Sequence, residues 1–441
     1  MLTVAYLANL FPSAVEPYVV DEIRELERRG LRIVTGSVRR APMQKADDQN
    51  QRAPEIVLRS VTPLLLLRAF WLCIRRWNRI SPLMTRVVLR GPEGPGQRAK
   101  TLIHTWLGAC YALALREKRV DHIHVHHGYF GSWIALTAAR LLNVGFSMTL
   151  HGSDLLLHGS YLDTKLANCK FCLTVSEFNR EYIVDHYPSV ARKKIVVSRL
   201  GVEIFDAAGS QNRRGNDCVF TMLSVGRLHC VKDHAFLISA CAQLRAHGLA
   251  FECSIAGDGP ERGRLEKLIR QHRLEKLVIL LGHVPREQMS SLYARADIVV
   301  LTSRSEGLPL VLMEAMARGK IVLAPAITGI PELVVDGKNG FLFQAGSQGD
   351  FVSRVLFIHS LFQLGDRAGR TSILSTPSRM DWIRYAAQVT VRHLFNGKRN
   401  LETFADFFMQ AVDPQSGSTF HEDSLLQQIQ LSVQRHRSVP V

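Results

Sequence analysis

DIVVLTSRSEGLPLVLMEAMARGKIVLAP, residues Asp297 to Pro325, runs from an apolar strand through a turn and a helix to a second apolar strand. Asp297–Leu301 has the continuous apolar character of a buried parallel strand. Pro309 suits the start of a helix, while Arg318 and Gly319 close it with a basic last turn and a left-handed cap. Ile321–Pro325 then returns as strand. Strand–helix–strand units build parallel sheets, and open parallel sheets bind ligands at the carboxyl ends of their strands. Glu306 and Glu314 straddle the turn, eight positions apart. The free N–H groups that open the helix favour a phosphate, with Glu306 beside it and Glu314 one turn deeper. Either glutamate alone reads as ordinary surface; the pair in this frame reads as a ligand site.

The same rhythm extends in both directions. Strands are expected at Thr3–Leu7, Leu31–Ser37, His122–Val125, Phe146–Leu150 and Phe171–Val175, then at Val219–Val225, Phe251–Ile255 and Val278–Leu280. Helices fall between them, among them Tyr18–Arg29 and a pair over Val61–Arg90 broken at Ser81-Pro82. Ala41–Pro54 and Gly91–Gly96 read as loops. The pattern predicts an α/β protein of two doubly wound parallel sheets, joined between Gly201 and Asn216. It fades after Asn400, where Leu401–Val412 and Ser424–Arg437 read as possible helices around a linker at Pro414–Ser418.

At 441 residues, 46% apolar and 21% charged, the chain is globular and long enough for two cores. No stretch reaches the roughly 18 uninterrupted apolar residues of a membrane span. Met1–Asn9 reads as a first strand rather than a signal peptide. Eight cysteines without a paired framework suggest a reducing cytosol and free, buried thiols. The formal charge of +16, from 55 basic and 39 acidic residues, calls for an acidic partner: a nucleotide, an anionic lipid surface or nucleic acid. Zinc-finger spacing, recognition helices and aromatic binding signatures are missing, which argues against nucleic acid.

Several motifs fall at strand ends. Gly226-Arg227-Leu228 leaves the first strand of the second half, and Lys232 follows just before a helix start. A guanidinium that makes paired contacts and a compact ammonium suit a diphosphate, though a solvated surface pair is the plain alternative. Gly257-Asp258-Gly259-Pro260 ends the next strand, where glycine lets backbone approach a ligand or simply turn. Gly282-His283-Val284 occupies the same place one strand on and offers backbone groups to a flat base. His151-Gly152-Ser153-Asp154 leaves a first-half strand. A lone histidine there is commonly structural, but two sheets facing each other would bring His151 toward Glu306.

Other features have plainer readings beside sharper ones. His122, His124 and His126 share a strand face, with His127 next to it; without a cysteine or carboxylate complement nearby, zinc is the weaker reading. Cys169 and Cys172 read as structural thiols rather than a redox pair. Arg68, Arg75 and Arg79 recur on one helical face, opposite Leu66, Phe70, Cys73, Ile74 and Trp77. Such a helix packs on its own domain, or docks on an anionic membrane or an acidic lipid-linked substrate.

Together these residues resemble the retaining glycosyltransferases of family four, a GT-B type group that uses nucleotide sugars. The matching pieces are Glu306–Glu314, Gly226-Arg227-Leu228 with Lys232, Gly257–Pro260, His151–Asp154 and Gly329-Ile330-Pro331-Glu332 through Asn339-Gly340. His124-Val125-His126-His127-Gly128, with Phe11-Pro12, Glu16 and Glu22, resembles the subgroup that builds exopolysaccharide, colanic-acid-like or lipopolysaccharide chains. The resemblance covers about Leu2 to Asn400. It implies an acceptor-side Rossmann-like domain over 1–200 and a nucleotide-sugar domain over 201–378. It also implies a helix over 379–400 returning to the first domain, with 401–441 left as an unassigned tail. Carried over, Arg227 and Lys232 hold the diphosphate and Glu314 the ribose. Glu306, with the Gly307 and Leu308 amides beside Pro309 and Leu310, orients the donor sugar, which His151 meets from the first domain. Glu16 and Asp154 would face the acceptor, a saccharide or lipid-linked saccharide.

The reaction so implied is a front-face transfer that retains configuration. It needs no divalent metal or other cofactor, because Arg227 and Lys232 take the metal's place, and it belongs in the cytoplasm, at or near the membrane. One departure is the loop Asn9–Val15, which lacks the Gly-Gly of many members. A noncatalytic nucleotide-sugar or glycan-binding subunit and a sugar-nucleotide epimerase are the rival readings.

Overall fold

The computed structural model describes residues 1–13, 16–39, 53–58, 62–157, 159–204, 219–368 and 378–413. The first half runs β1 (Thr3–Leu10), α1 (Pro17–Arg28), β2 (Arg32–Arg39), β3 (Ile56–Val57), α2 (Pro63–Arg75), α3 (Trp77–Leu89), α4 (Pro95–Arg116), β4 (His122–His126) and α5 (Phe130–Leu142). It continues with β5 (Gly145–Leu150), α6 (Ser153–Leu156), α7 (Leu162–Asn168), β6 (Cys172–Thr174), α8 (Glu177–His186) and β7 (Ile195–Val197). The strands form one seven-stranded parallel sheet in the order β3-β2-β1-β4-β5-β6-β7.

The second half runs β8 (Phe220–Val225), α9 (His234–Ala246), β9 (Phe251–Ala256), α10 (Arg262–Gln271), β10 (Val278–Gly282), α11 (Arg286–Arg295), β11 (Ile298–Val300) and α12 (Leu310–Ala317). After these come β12 (Ile321–Pro325), α13 (Ile330–Leu333), β13 (Phe341–Phe343), α14 (Gln348–Ala368), α15 (Arg379–Leu394) and α16 (Gly397–Val412). Its six strands pair in parallel as β10-β9-β8-β11-β12-β13. Every residue of β12 is buried, as a strand covered by helices on both faces must be.

Three edge or near-edge strands, β3, β7 and β13, were not expected; at two or three residues they are too short to show a period. The helix pair breaks at Arg76, not at Ser81-Pro82. Pro82 is the sixth residue of α3, past the first turn, so it forgoes one intrahelical hydrogen bond without ending the helix.

The chain crosses between halves twice, side by side. Val202 N–H donates to the Phe395 carbonyl, and Gly397 N–H donates to the Val202 carbonyl, each at 2.9 Å. Gly201 lies so close to Gly397 that a Cβ on it would meet that nitrogen at 2.6 Å. The return to the first domain is therefore made by α16, not by a helix over 379–400. α15 buries Met380, Ile383, Ala387 and Val391 in the second half. α16 buries Phe404, Ala405 and Phe408 against Tyr6, Val19, Ile23 and Phe171, so residues 397–412 belong to the first core and not to a tail. The expected linker over 205–216, most of the loop at Ala41–Pro54 and the expected helix at Ser424–Arg437 lie outside the described residues.

Candidate active site

In the second domain the turn after β8 is built around one lysine. Cys230–Lys232 makes a single tight turn, ended by Asp233 at φ +48. The Asp233 carboxylate caps α9 and takes Arg304 Nε at 2.7 Å. The turn throws the Lys232 side chain back along Gly226 to Glu306, Nζ to Oε1 2.5 Å. Arg227 is exposed and pairs with no described residue.

Glycine is required where these turns close on one another. A Cβ on Gly257, at φ +145, would lie 2.0 Å from the Gly226 carbonyl, and Gly257 N–H donates to Gly282 O at 2.8 Å. The three turns after β8, β9 and β10 thus share one sheet edge. His283 there is exposed, while Val284 packs into the core.

After β11 come Glu306 and Gly307, with Leu308 buried and Pro309 as the N-cap of α12. The N–H groups of Gly307 and Leu308 donate to no described residue. Leu310 opens the helix. Glu314, half-buried on α12, accepts from Tyr293 Oη at 2.8 Å. Burial, and then the Glu314 charge, hold the Tyr293 hydroxyl protonated far above its ordinary range.

The first domain contributes the turn after β5. His151 is half-buried, and Asp154 beneath it is sealed. The Asp154 carboxylate accepts the N–H groups of Gly128 and Gly152, each at 2.8 Å, and of His151 at 3.1 Å. Burial opposes its charge, but the hydrogen bonds and the neighbouring His127 win and keep it ionised. Asp154 is therefore the brace of this turn and is not open to an acceptor, contrary to expectation. Glu16, also expected on the acceptor side, bonds His127 Nε2 at 2.8 Å.

His122 and His124 are buried against Phe171 and Phe408 and hydrogen-bond Ser147, with His124 also reaching Thr149. Cys169 and Cys172 are buried thiols; Cys230 is exposed and Cys73 half-buried, so not every thiol is hidden.

The two halves meet at this point. A Cβ on Gly307 would fall 1.8 Å from the His151 carbonyl, and one on Gly152 2.9 Å from the Gly307 nitrogen. Backbone approach this close needs glycine on both sides. It places the His151 turn directly against the Glu306 turn, as the facing-sheet expectation required. Beside it, Glu332 accepts the N–H groups of Glu177 and Phe178 at 3.0 and 2.7 Å, and Arg199 approaches the same carboxylate at 3.6 Å. No role was expected for Glu332 or Arg199. Glu332 lies in the quoted Gly329–Glu332 motif, but nothing in its spacing names a partner in the other half.

Two family models match. One described as "Glycosyltransferase Family 4" covers residues 15–204, and one described as "Glycosyl transferases group 1" covers residues 211–370. WcaL of Salmonella typhimurium, named as a candidate colanic acid biosynthesis glycosyltransferase, is 38% identical over 34% of this chain and 38% of its own length. The amylovoran biosynthesis glycosyltransferase AmsK of Erwinia amylovora is 30% identical over 50% of this chain and 57% of its own. The chain thus aligns with only 38% and 57% of the length of these two relatives. The structure of HepE from Anabaena, solved with UDP-glucose, superposes over 93% of this chain and all of its own with a TM-score of 0.66 at 18% identity. A glycosyltransferase from Rickettsia africae does so at 0.65, over 94% of this chain and 99% of its own, again at 18% identity. At that identity the likeness establishes the GT-B fold.

Proposed function

The chain belongs to the glycosyltransferases whose two family models match its halves, and from that premise we propose that it is a retaining enzyme of surface polysaccharide synthesis. It moves a sugar from a nucleotide-sugar donor to a saccharide or lipid-linked saccharide acceptor. The observation that carries this reading is the contact of the His151 turn with the Glu306–Gly307 turn, beside the Lys232–Glu306 pair. Arg227 and Lys232 hold the diphosphate in place of a metal, and Glu314 takes the ribose. Glu306 and the free amides of Gly307 and Leu308 orient the sugar. The anomeric C–O bond to phosphate breaks while the glycosidic bond forms on the same face, and the departing phosphate oxygen takes the acceptor proton. The enzyme stabilises the charge that develops.

Thermal-shift titration with UDP-, GDP- and ADP-sugars tests donor binding. At a hundred times its dissociation constant the true donor stabilises by about 2.7 kcal/mol. Stabilisation without transfer to any acceptor would select the noncatalytic reading, and no stabilisation by any donor would remove both.

The reading includes docking at the inner face of the plasma membrane. None of the described helices is long and apolar enough to cross a membrane. On α2 the outer face combines Arg68 and Arg75 with Phe70, Trp71 and Ile74, and Trp77 follows, each ring about half exposed or more. This corrects the expected separation of faces: only Leu66 and Cys73 of the apolar set pack inward, and Arg79 lies on α3. Between Pro63 and Arg116 the only acidic residue is Glu93. Cations interleaved with aromatic rings suit an anionic lipid surface. Flotation with anionic but not neutral liposomes, weakened by salt, is the expected result; equal recovery in both, unaffected by salt, would count against it.

A further inference from the structure

One hydroxyl holds Glu314 from behind. Tyr293 is the buried residue of α11, and its Oη donates to Glu314 Oε2 at 2.8 Å. The other carboxylate oxygen, Oε1, bonds to no described residue and is not among the sealed polar atoms, so it is open to a ligand.

The phenol is itself fixed. The Arg318 guanidinium lies over the Tyr293 ring, 5.0 Å from its centroid, and Nη1 donates to the Glu314 carbonyl at 3.0 Å. Arg318 Nη2 also reaches Ser290 Oγ of α11 at 3.4 Å. Lys320 Nζ, just past α12, donates to the Ala294 carbonyl of α11 at 2.7 Å. α11 is thereby tied to α12 and to the turn that follows it. The Tyr293 ring sits in the apolar cluster that also takes in Leu310 of α12 and Val284 of the turn after β10.

A buried phenol needs an acceptor, and a carboxylate supplies one. That need accounts for Oε2 and leaves Oε1 unexplained. A long carboxylate side chain without a partner samples many rotamers, and ordering it on binding costs affinity. With Oε2 bonded to a fixed phenol, the direction of Oε1 is set before any ligand arrives. A phenol has one proton, and this one points at Glu314, so Tyr293 has none to give a ligand directly.

We propose that Tyr293 is a positioning residue that presets Glu314, so that Oε1 accepts a hydrogen bond from a ribose hydroxyl and the site selects ribonucleotides over deoxyribonucleotides. The ribose rests on the glycosyltransferase reading; the new element is Tyr293, which acts through Glu314. A deoxyribose leaves the preset oxygen unpaired, and a site built around a hydroxyl rejects the analogue that lacks it. A loose carboxylate turns away to water and discriminates less.

The test is calorimetric titration of the full chain with UDP, GDP and ADP, each beside its 2′-deoxy and 3′-deoxy counterparts. The wild type should bind its preferred ribonucleotide at least about tenfold more tightly than one of the two deoxy forms, as a hydrogen bond to a carboxylate allows. Tyr293→Phe keeps the ring and its packing but removes the proton. It should weaken the ribonucleotide by roughly threefold to thirtyfold, within the range for groups that share one hydrogen-bond network. That deoxy form should bind nearly as before, so the preference shrinks. In a Glu314→Ala background, Tyr293→Phe should change neither affinity. An equal loss for the ribonucleotide and its deoxy forms would mean that Tyr293 only supports the fold, and would overturn the proposal. Wild-type discrimination in Tyr293→Phe would overturn it too, with the donor reading intact. If none of the nucleotides binds the wild type, the donor reading itself falls and the proposal with it.

Discussion

The most telling contrast at the scale of residues is between the two cations. Lys232 is already paired with Glu306, while Arg227 stands exposed with no described partner. Arg227→Ala should leave the melting temperature unchanged, because an unpartnered surface side chain contributes within about 0.5 kcal/mol. It should nonetheless lower kcat/KM by about a hundredfold to a thousandfold, the usual loss when a fixed donor to developing charge is removed. Lys232→Ala should lose a similar factor and also raise the donor KM, since Glu306 is left as an unpaired carboxylate beside a polyphosphate. Steady-state kinetics with melting curves separates the two effects; full activity in both variants would remove the assigned roles. Gly257 and Gly307 were legible in the sequence because close approach needs glycine at those places, and Gly282 because its φ is +75; a Cβ on Gly226 would meet only ordinary contacts with Lys232. Asp154 was misread for a physical reason. A carboxylate two residues after a glycine looks exposed in sequence, and the three N–H groups that seal it come partly from Gly128, on another strand end.

Among the elements, α16 departs furthest from expectation. Leu401–Val412 was readable as a helix, but not its place, because its apolar face matches a groove formed by α1 and the faces of β1 and β4, distant in sequence. Phe408 meets Tyr6, His122, His124 and Phe171, with ring centroids 5.1 to 6.3 Å away. It therefore seals the polar row of β4 from solvent. Phe408→Ala should destabilise the first domain by about 3–5 kcal/mol, the range for deleting a buried aromatic ring, as read by chemical denaturation. An unchanged midpoint would mean that α16 does not complete that core. The central strands were legible because burial on both faces makes them uniformly apolar. β4 is the exception, a buried strand of alternating histidines whose polarity is tolerated only because Ser147, Thr149 and Glu22 satisfy it. The faces of α2 could not be read, since its outward aromatic rings break the rule by which sequence distinguishes inside from outside.

Among the described residues, the two halves meet at the cleft through the close backbone approach of the His151 and Gly307 turns and through the Glu332 carboxylate. Glu332 of the second half caps the N-terminus of α8 in the first, and Asn179, in the first turn of α8, donates to the His151 carbonyl at 3.4 Å. Closure of the halves is thereby tied to the position of the His151 turn through one short helix. The loss of a cap acceptor costs about 0.5–2 kcal/mol. That is a factor of about 2–30 in the ratio of closed to open forms, and the apparent donor affinity falls with the fraction that is competent to bind. Glu332→Ala should therefore raise the donor KM by up to that factor while leaving kcat near wild type. Chains that do close still have Arg227, Lys232 and Glu306 in place. The same variant without donor should show a larger radius of gyration by small-angle scattering, and saturating donor should bring it back toward the wild-type value. An unchanged radius together with an unchanged KM would mean that the glycine contacts alone hold the halves together. A fall in kcat without a change in KM would instead place Glu332 in the chemistry rather than in closure.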